Sequence, residues 1–225
     1  MNIFNFFIKS ILDFLFNDCI VCEEETKFYG EICDKCFNSM EKWPQGKNSS
    51  VCFICDRKDI CCCDFQSFIP FIYMGLIAKM VLQLKYSQKS YLAEIFAKLI
   101  VENTGISDLP RDNLVLVSIP VSRKRLFTRE YNQSVLLAEE LGKILNIPSY
   151  HFVFKKTKNY NQQNKTKEER QKNSKSLEIN SIQGILGQNI LLVDDIIASG
   201  STISRCTNLL KPLCKSINIV AIAKS

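Results

Sequence analysis

The chain has 225 residues, 46% of them hydrophobic, and a formal charge of +6, which suits one α/β domain of ordinary size with a small appendage and excludes a disordered chain. That charge is unevenly divided: residues 1 to 67 carry 7 Lys+Arg against 11 Asp+Glu, a net of −4, and the remainder carries 22 against 12, a net of +10. The basic surface therefore belongs to the C-terminal part.

Within the first sixteen residues, Ile3, Phe4, Phe7, Ile8, Ile11, Leu12 and Leu15 fall at helical spacing between Asn2, Asn5, Lys9 and Asp13, which predicts an amphipathic helix. The segment has no basic leader and no small-residue cleavage site, and it is too short and too interrupted to span a bilayer. It reads as a helix docked on the protein's own core, with a partner or a membrane surface as the alternative. Without an export signal, the expected location is the cytoplasm, where clustered cysteines are metal ligands rather than disulfides.

Nine of the eleven cysteines lie between residues 19 and 63. Cys19-x2-Cys22 and, after ten residues, Cys33-x2-Cys36 offer four thiolates to a tetrahedral Zn²⁺, a metal that substitutes for a core too small to fold alone. A second group, Cys52, Cys55 and the run Cys61-Cys62-Cys63, resembles an irregular copy; Cys52, Cys55, Cys61 and Cys63 are the candidates for a second site, without assignable third and fourth ligands. A redox role is disfavoured, because no thioredoxin-like unit surrounds the CxxC pairs.

Residues 1–67 are thus expected to form the helix and the cysteine-rich module, and 68–225 an α/β domain. Phe68 to Met74, around Pro70, suits an edge strand. Leu76, Ile77, Met80, Val81 and Leu84 predict a helix closing on Leu84-Lys85-Tyr86, and Leu92, Ile95, Phe96 and Leu99 another from Tyr91 to Val101. Leu114 to Pro120 is a buried strand ended by proline. Beyond it, Arg123, Lys124, Arg125 and Arg129 form a cationic loop suited to bidentate contact with pyrophosphate oxygens. A helix from Tyr131 to Leu145 and a short strand from His151 to Phe154 follow, with His151, the only histidine, read as a packed residue. The run from Lys155 to Ser176 holds eight Lys+Arg and two Glu and has the composition of a solvated loop. A last strand, Ile217 to Ile222, completes a sheet of about five strands; Cys206 and Cys214 read as packing residues.

The richest stretch is Ile190-Leu191-Leu192-Val193-Asp194-Asp195-Ile196-Ile197-Ala198-Ser199-Gly200-Ser201-Thr202-Ile203. Four apolar residues without alternation read as a strand buried on both faces. Two carboxylates stand where it should end, and a Ser/Gly/Thr loop then opens a helix. Gly200 can take positive φ, so that successive N–H groups converge on a phosphate, with the Ser199, Ser201 and Thr202 hydroxyls as further donors. Asp194 and Asp195 can accept hydrogen bonds from vicinal sugar hydroxyls or help hold a Mg²⁺.

The run Val193 to Thr202 resembles the motif of the type I phosphoribosyltransferases, which bind phosphoribosyl pyrophosphate (PRPP) with Mg²⁺. By that resemblance Asp194 and Asp195 hold the ribose hydroxyls, residues Ala198, Ser199, Gly200, Ser201 and Thr202 cradle the 5′-phosphate, and the fold is a parallel sheet with the ligand at the carboxyl ends of its strands. The CxxC pairs, Leu84-Lys85-Tyr86, the cationic loop, Arg129-x-Tyr131-Asn132-Gln133 and the Asp-Asp loop, in this order, are similar to the ComF family, zinc-bearing phosphoribosyltransferase-like proteins associated with bacterial DNA uptake. Departures are Ser122 for a usual histidine, Glu130 for a usual glycine, and Asn164-Lys165 for a usual Gly-Leu. Gln162, Thr166, Arg170 and Asn173 fall on a spacing that recurs in the family and implies a mobile loop near the ligand.

The resemblance implies PRPP binding and a role in handling single-stranded DNA during natural transformation, with a DNA-uptake helicase as a partner. The alternative is an active phosphoribosyltransferase acting on a nucleobase or an amine. Ala198 stands where purine salvage enzymes of related fold often carry an acid that assists the base, and no replacement base is visible. If DNA binds, the cation clusters at Arg123 to Arg129 and Lys155 to Lys175 are expected to carry it, with Tyr131 and Tyr160 stacking on unpaired bases.

Overall fold

The computed structural model describes residues 18–24, 32–43, 65–121, 126–127, 130–157 and 176–225. The expected N-terminal helix, the second cysteine group, the cations Arg123, Lys124, Arg125 and Arg129, and the polar run 158–175 with Tyr160 lie outside the described residues.

Eight strands and five α-helices are described. The helices are α1 (Asp34–Asn38), α2 (Gly75–Tyr86), α3 (Leu92–Asn103), α4 (Gln133–Leu145) and α5 (Ser201–Leu210). The strands are β1 (Ser67–Phe68), β2 (Phe71–Ile72), β3 (Leu114–Ser118), β4 (Ser149–Tyr150), β5 (Phe154–Thr157), β6 (Ser176–Ile179), β7 (Asn189–Ile197) and β8 (Ser216–Lys224). Six strands form the main sheet in the order β1-β8-β7-β3-β4, β2 also pairing with β8, and all these pairings are parallel.

Residues that the periodicity assigned to buried strands alternate between two apolar layers. Leu114, Leu116, Leu191, Val193, Val220 and Ile222 join the face covered by α2, α3 and α4. Val115, Val117, Ile190, Leu192, Ile217 and Ile219 join the opposite face, where Ile203, Cys206 and Leu210 of α5 pack. Helices on both sides explain why these strands show no polar alternation. The expected edge strand is split into β1 and β2 around Ile69-Pro70, since proline cannot donate to a ladder. Its outer side is met by residues 41–43: Trp43 N donates to Pro70 O at 2.8 Å and Ile72 N to Glu41 O at 2.8 Å, so the segment after α1 lies against the sheet edge.

From β3 the chain passes through α4 to β4 on one side, whereas β7 lies on the other. The order of connection therefore reverses between β3 and β7, the position where open α/β sheets bind ligands beyond their strand ends. Residues 154–157 and 176–179 differ from the sequence expectation of a loop starting at Lys155. They form an antiparallel ribbon, β5 with β6, outside the main sheet. His151 lies in a bend after β4 rather than in a strand. It is half-buried, with Ser118 Oγ 3.3 Å from Nδ1 and Ser149 Oγ 3.2 Å from Nε2, and burial holds its pKa below the ordinary imidazole value. None of the described helices is long and apolar enough to cross a membrane.

Candidate functional site: a pocket at two carboxylates and a cysteine cluster

β7 runs further than the sequence suggested, to Ile197, so Asp194 and Asp195 belong to the strand rather than to its tip. A cavity of about 390 Å³ opens beyond the carboxyl ends of β3 and β7, lined among others by Lys85, Val121, Lys156, Asp194, Asp195 and residues 198–202. All five residues of the expected phosphate loop thus meet both carboxylates in one space. Gly200 has φ 69° and caps α5, the left-handed conformation that residues with a Cβ adopt at a cost. Ser201 N donates to Ser199 Oγ at 3.4 Å and Ser199 Oγ to Ser201 Oγ at 3.1 Å, so the loop closes on itself at the helix start. Lys224 Nζ donates to Ala198 O at 2.7 Å and fixes the loop's opposite end.

The carboxylates are held by distant parts of the chain. Asp194 Oδ1 accepts from Ser134 Oγ at 3.1 Å and from the Asp195 N–H at 2.9 Å. Asp195 Oδ1 accepts from the Ile196 N–H at 2.8 Å, and its Oδ2 pairs with Lys85 Nζ at 2.8 Å. Burial, and next the charge of Asp195, push the Asp194 carboxyl up to about 8. Because the folded state holds this proton more tightly than the unfolded chain does, the stability it contributes is complete below the ordinary carboxylate pKa and is lost as pH rises through about 8. Asp194→Asn is expected to raise Tm at pH 8.5 and to flatten its decline between pH 5 and 8.5, with a gain on the order of 1 kcal/mol at the alkaline end. Thermal denaturation at both pH values checks this.

Tyr131, Asn132 and Ser134 tie the site together. Tyr131 Oη donates to Leu84 O at 2.6 Å, holding the last turn of α2. Asn132 caps α4 by accepting from Ser134 N at 3.1 Å and donates to Ile119 O at 2.9 Å, beside the cavity. Tyr131 is partly buried against the core, so it serves as a fastener rather than the stacking platform expected from sequence. Glu130 has φ 65°, which accounts for a glycine being the usual residue there.

Two roles escaped the sequence reading: the Ser134 contact with Asp194 and the Lys85 contact with Asp195. Leu84-Lys85-Tyr86 was noticed only as a motif, and nothing in the local pattern says that its lysine reaches a residue on β7.

At the N-terminal side, the ligand atoms of Cys19, Cys22, Cys33 and Cys36 all lie within 4.8 Å of one another, and Cys22 Sγ is 3.7 Å from Cys33 Sγ. Zn–S bonds of about 2.3 Å in a tetrahedron place sulfurs roughly 3.8 Å apart. Backbone N–H groups donate to two of them, Cys33 N to Cys19 Sγ at 3.4 Å and Cys36 N to Cys33 Sγ at 3.5 Å, the outer-shell support a thiolate ligand needs. The donor set therefore fits Zn²⁺.

A model of the phosphoribosyl transferase domain matches residues 132–224, and with the parallel sheet and the pocket beyond β7 this defines a phosphoribosyltransferase-type α/β domain. Competence protein F of Haemophilus influenzae is 22% identical over 220 residues, covering 92% of this chain and 84% of that protein. DNA utilization protein YhgH of Escherichia coli is 24% identical over 204 residues, 85% of this chain and 83% of that protein. Competence protein ComFC of Bacillus subtilis is 34% identical over 100 residues, 43% of this chain and 39% of that protein. These likenesses to proteins named competence protein F, ComFC and DNA utilization protein YhgH support the resemblance to the ComF family read from the motifs. Among solved structures, adenine phosphoribosyltransferase from Thermoanaerobacter pseudethanolicus is 13% identical with a TM-score of 0.39, covering 85% of this chain and 98% of that one.

Proposed function

We propose that the cavity beyond β3 and β7 binds PRPP with Mg²⁺, and that the protein, working in the cytoplasm, handles single-stranded DNA during natural transformation. The observation that carries the first half is the meeting of Asp194, Asp195 and the loop 198–202 in one cavity. A carboxylate pair accepts from sugar hydroxyls while the N-terminus of α5, the Gly200 turn and three hydroxyls donate to a phosphate. Mg²⁺ bound with the ligand supplies charge neutralisation at the pyrophosphate, and Arg123, Lys124, Arg125 and Arg129 supply the rest of it. On this reading the chain divides near residue 67: the N-terminal part is a module held by Zn²⁺ on Cys19, Cys22, Cys33 and Cys36, and the rest is the PRPP-binding domain.

Binding rather than transfer is favoured by Ala198, which is exposed in the cavity wall and offers no acid or base to an acceptor. Calorimetric titration of PRPP with and without Mg²⁺ tests the binding, and a pyrophosphate-release assay with nucleobases, amines or DNA tests for transfer. Release above the uncatalysed level with any of these acceptors would make it an enzyme.

The DNA contact is placed on the basic domain. Counterion release makes clustered cations the main source of sequence-independent affinity. The N-terminal module starts at −4, and four thiolates with one Zn²⁺ lower it by a further 2 in the formal count. Lys155 lies on β5, 3.7 Å from Glu178 on β6, and Lys156 lines the cavity, so the ribbon brings part of the basic run next to the pocket. Neutralising Lys155, Lys156 and Lys158 together is expected to weaken oligonucleotide binding and flatten its salt dependence by roughly two to three phosphate contacts. Fluorescence anisotropy across a salt series measures both. Unchanged affinity and slope would move the DNA site elsewhere.

A further inference from the structure

Lys85 is positioned with more care than an ordinary surface lysine. It sits in the last turn of α2, where Tyr131 Oη holds the carbonyl of the preceding residue at 2.6 Å. Three residues further on, Gln88 Nε2 donates to Glu130 Oε2 at 3.0 Å, and both Gln88 and Glu130 take positive φ. The turn carrying Lys85 is thus fastened on both sides to the segment that opens α4. From this mount the ammonium reaches Asp195 Oδ2 at 2.8 Å, each side chain being 15% exposed. Both groups line the cavity, where Lys85 and Lys156 are the only cations among the described residues.

The Asp195 carboxylate, paired with Lys85, accepts hydrogen bonds and cannot donate, whereas every sugar hydroxyl both donates and accepts. Asp194 Oδ1 and Asp195 Oδ1 already receive donors from the protein. A hydroxyl that donates to Asp195 Oδ2 brings its own oxygen beside Lys85 Nζ, which has three donors and uses one on Asp195. The ammonium and the carboxylate thus set a donor and an acceptor side by side, the pairing that a vicinal diol can satisfy.

We infer that Lys85 is a specificity-determining residue of this cavity, its ammonium and the Asp195 carboxylate together reading the vicinal hydroxyls of a 5-phosphorylated pentose. The inference rests on the sugar-phosphate reading given above and adds the group that distinguishes ribose from its deoxy counterpart. An ion pair with a merely structural role would make no such distinction. A site built to hydrogen-bond a hydroxyl rejects the analogue that lacks it, because the site's own polar groups are then left unpaired.

The test is a calorimetric comparison of ribose 5-phosphate with 2-deoxyribose 5-phosphate on the full chain, wild type against Lys85→Met and Lys85→Gln, with folding checked by circular dichroism. Wild type should prefer the ribose compound by about tenfold or more, and in both variants the preference should fall to roughly twofold. If either folded variant keeps the wild-type ratio, whatever its absolute affinity, Lys85 is only a counter-ion and the inference fails. A wild type that binds both compounds equally overturns the inference alone; one that binds neither overturns the sugar-phosphate reading beneath it. A measurement on the unmodified chain runs alongside: ribose 5-phosphate should protect Lys85 from acetic anhydride, read by mass spectrometry, more than the deoxy compound does. Equal protection by the two, at equal occupancy, contradicts the inference even if neither variant folds.

Discussion

Gly200→Val is expected to abolish measurable PRPP binding, and Asp195→Asn to weaken it by about tenfold to a hundredfold. At φ 69° a β-branched side chain is a genuine outlier, costing of order 1–3 kcal/mol if the turn is kept. If the turn instead relaxes, the N–H groups at the start of α5 no longer converge. Asp195 is the partner of Lys85 and an acceptor lining the cavity, and hydrogen bonds to a charged group are worth roughly 1.5–3 kcal/mol. The amide that replaces it cannot balance the ammonium, so the variant also loses folding stability by leaving Lys85 without its counter-charge. Calorimetry with PRPP and Mg²⁺ measures both variants. Wild-type affinity in both would remove the assignment of this loop.

Cys33→Ser is expected to strip zinc from the N-terminal module and to unfold it, while the sheet domain stays folded. Cys33 has three tasks. Its sulfur is one of the four clustered ligand atoms, its side chain accepts from Cys36 N as the N-cap of α1, and its own N–H donates to Cys19 Sγ. A structural zinc contributes apparent binding energies of about 10–16 kcal/mol, which in so small a module is folding energy. Elemental analysis of protein purified without chelators should give at least about one zinc per wild-type chain and a clear loss in the variant. A wild-type chain without metal would end the zinc assignment. Proteolysis offers a second view, since cleavage should begin between residues 18 and 43 and spare β3, β7 and β8.

The central sheet was legible because burial on both faces leaves an unmistakable composition: Leu114 to Val117, Ile190 to Val193 and Ile219 to Ala223 are apolar without interruption. That Asp194, Asp195 and residues 198–202 would share one space was legible for a different reason, since they are consecutive on one strand, turn and helix. What escaped depends on contacts between residues far apart in sequence. Ser134 reaches Asp194 across 60 positions, and Lys85 reaches a carboxylate on β7 from the far end of α2. Neither residue differs in type from dozens of ordinary surface serines and lysines. The β5–β6 ribbon was hidden by its own charge. Lys155 and Lys156 break the apolar pattern that marks a buried strand, because the ribbon stands off the main sheet and needs only one side against the protein. His151 was correctly seen as packed, yet its place in a bend follows from the shortness of β4, which local propensity does not encode.

Hydrogen–deuterium exchange on the full chain, with and without saturating PRPP and Mg²⁺, tests the location of the ligand most directly. Backbone N–H groups that converge on a bound phosphate cannot exchange freely, so amides of residues 199–204 should slow most on addition of ligand. Residues 149–153, which line a separate cavity of about 350 Å³, should change little. Slowing confined to that second cavity, or none anywhere at saturating PRPP, would contradict the assignment of the pocket beyond β3 and β7.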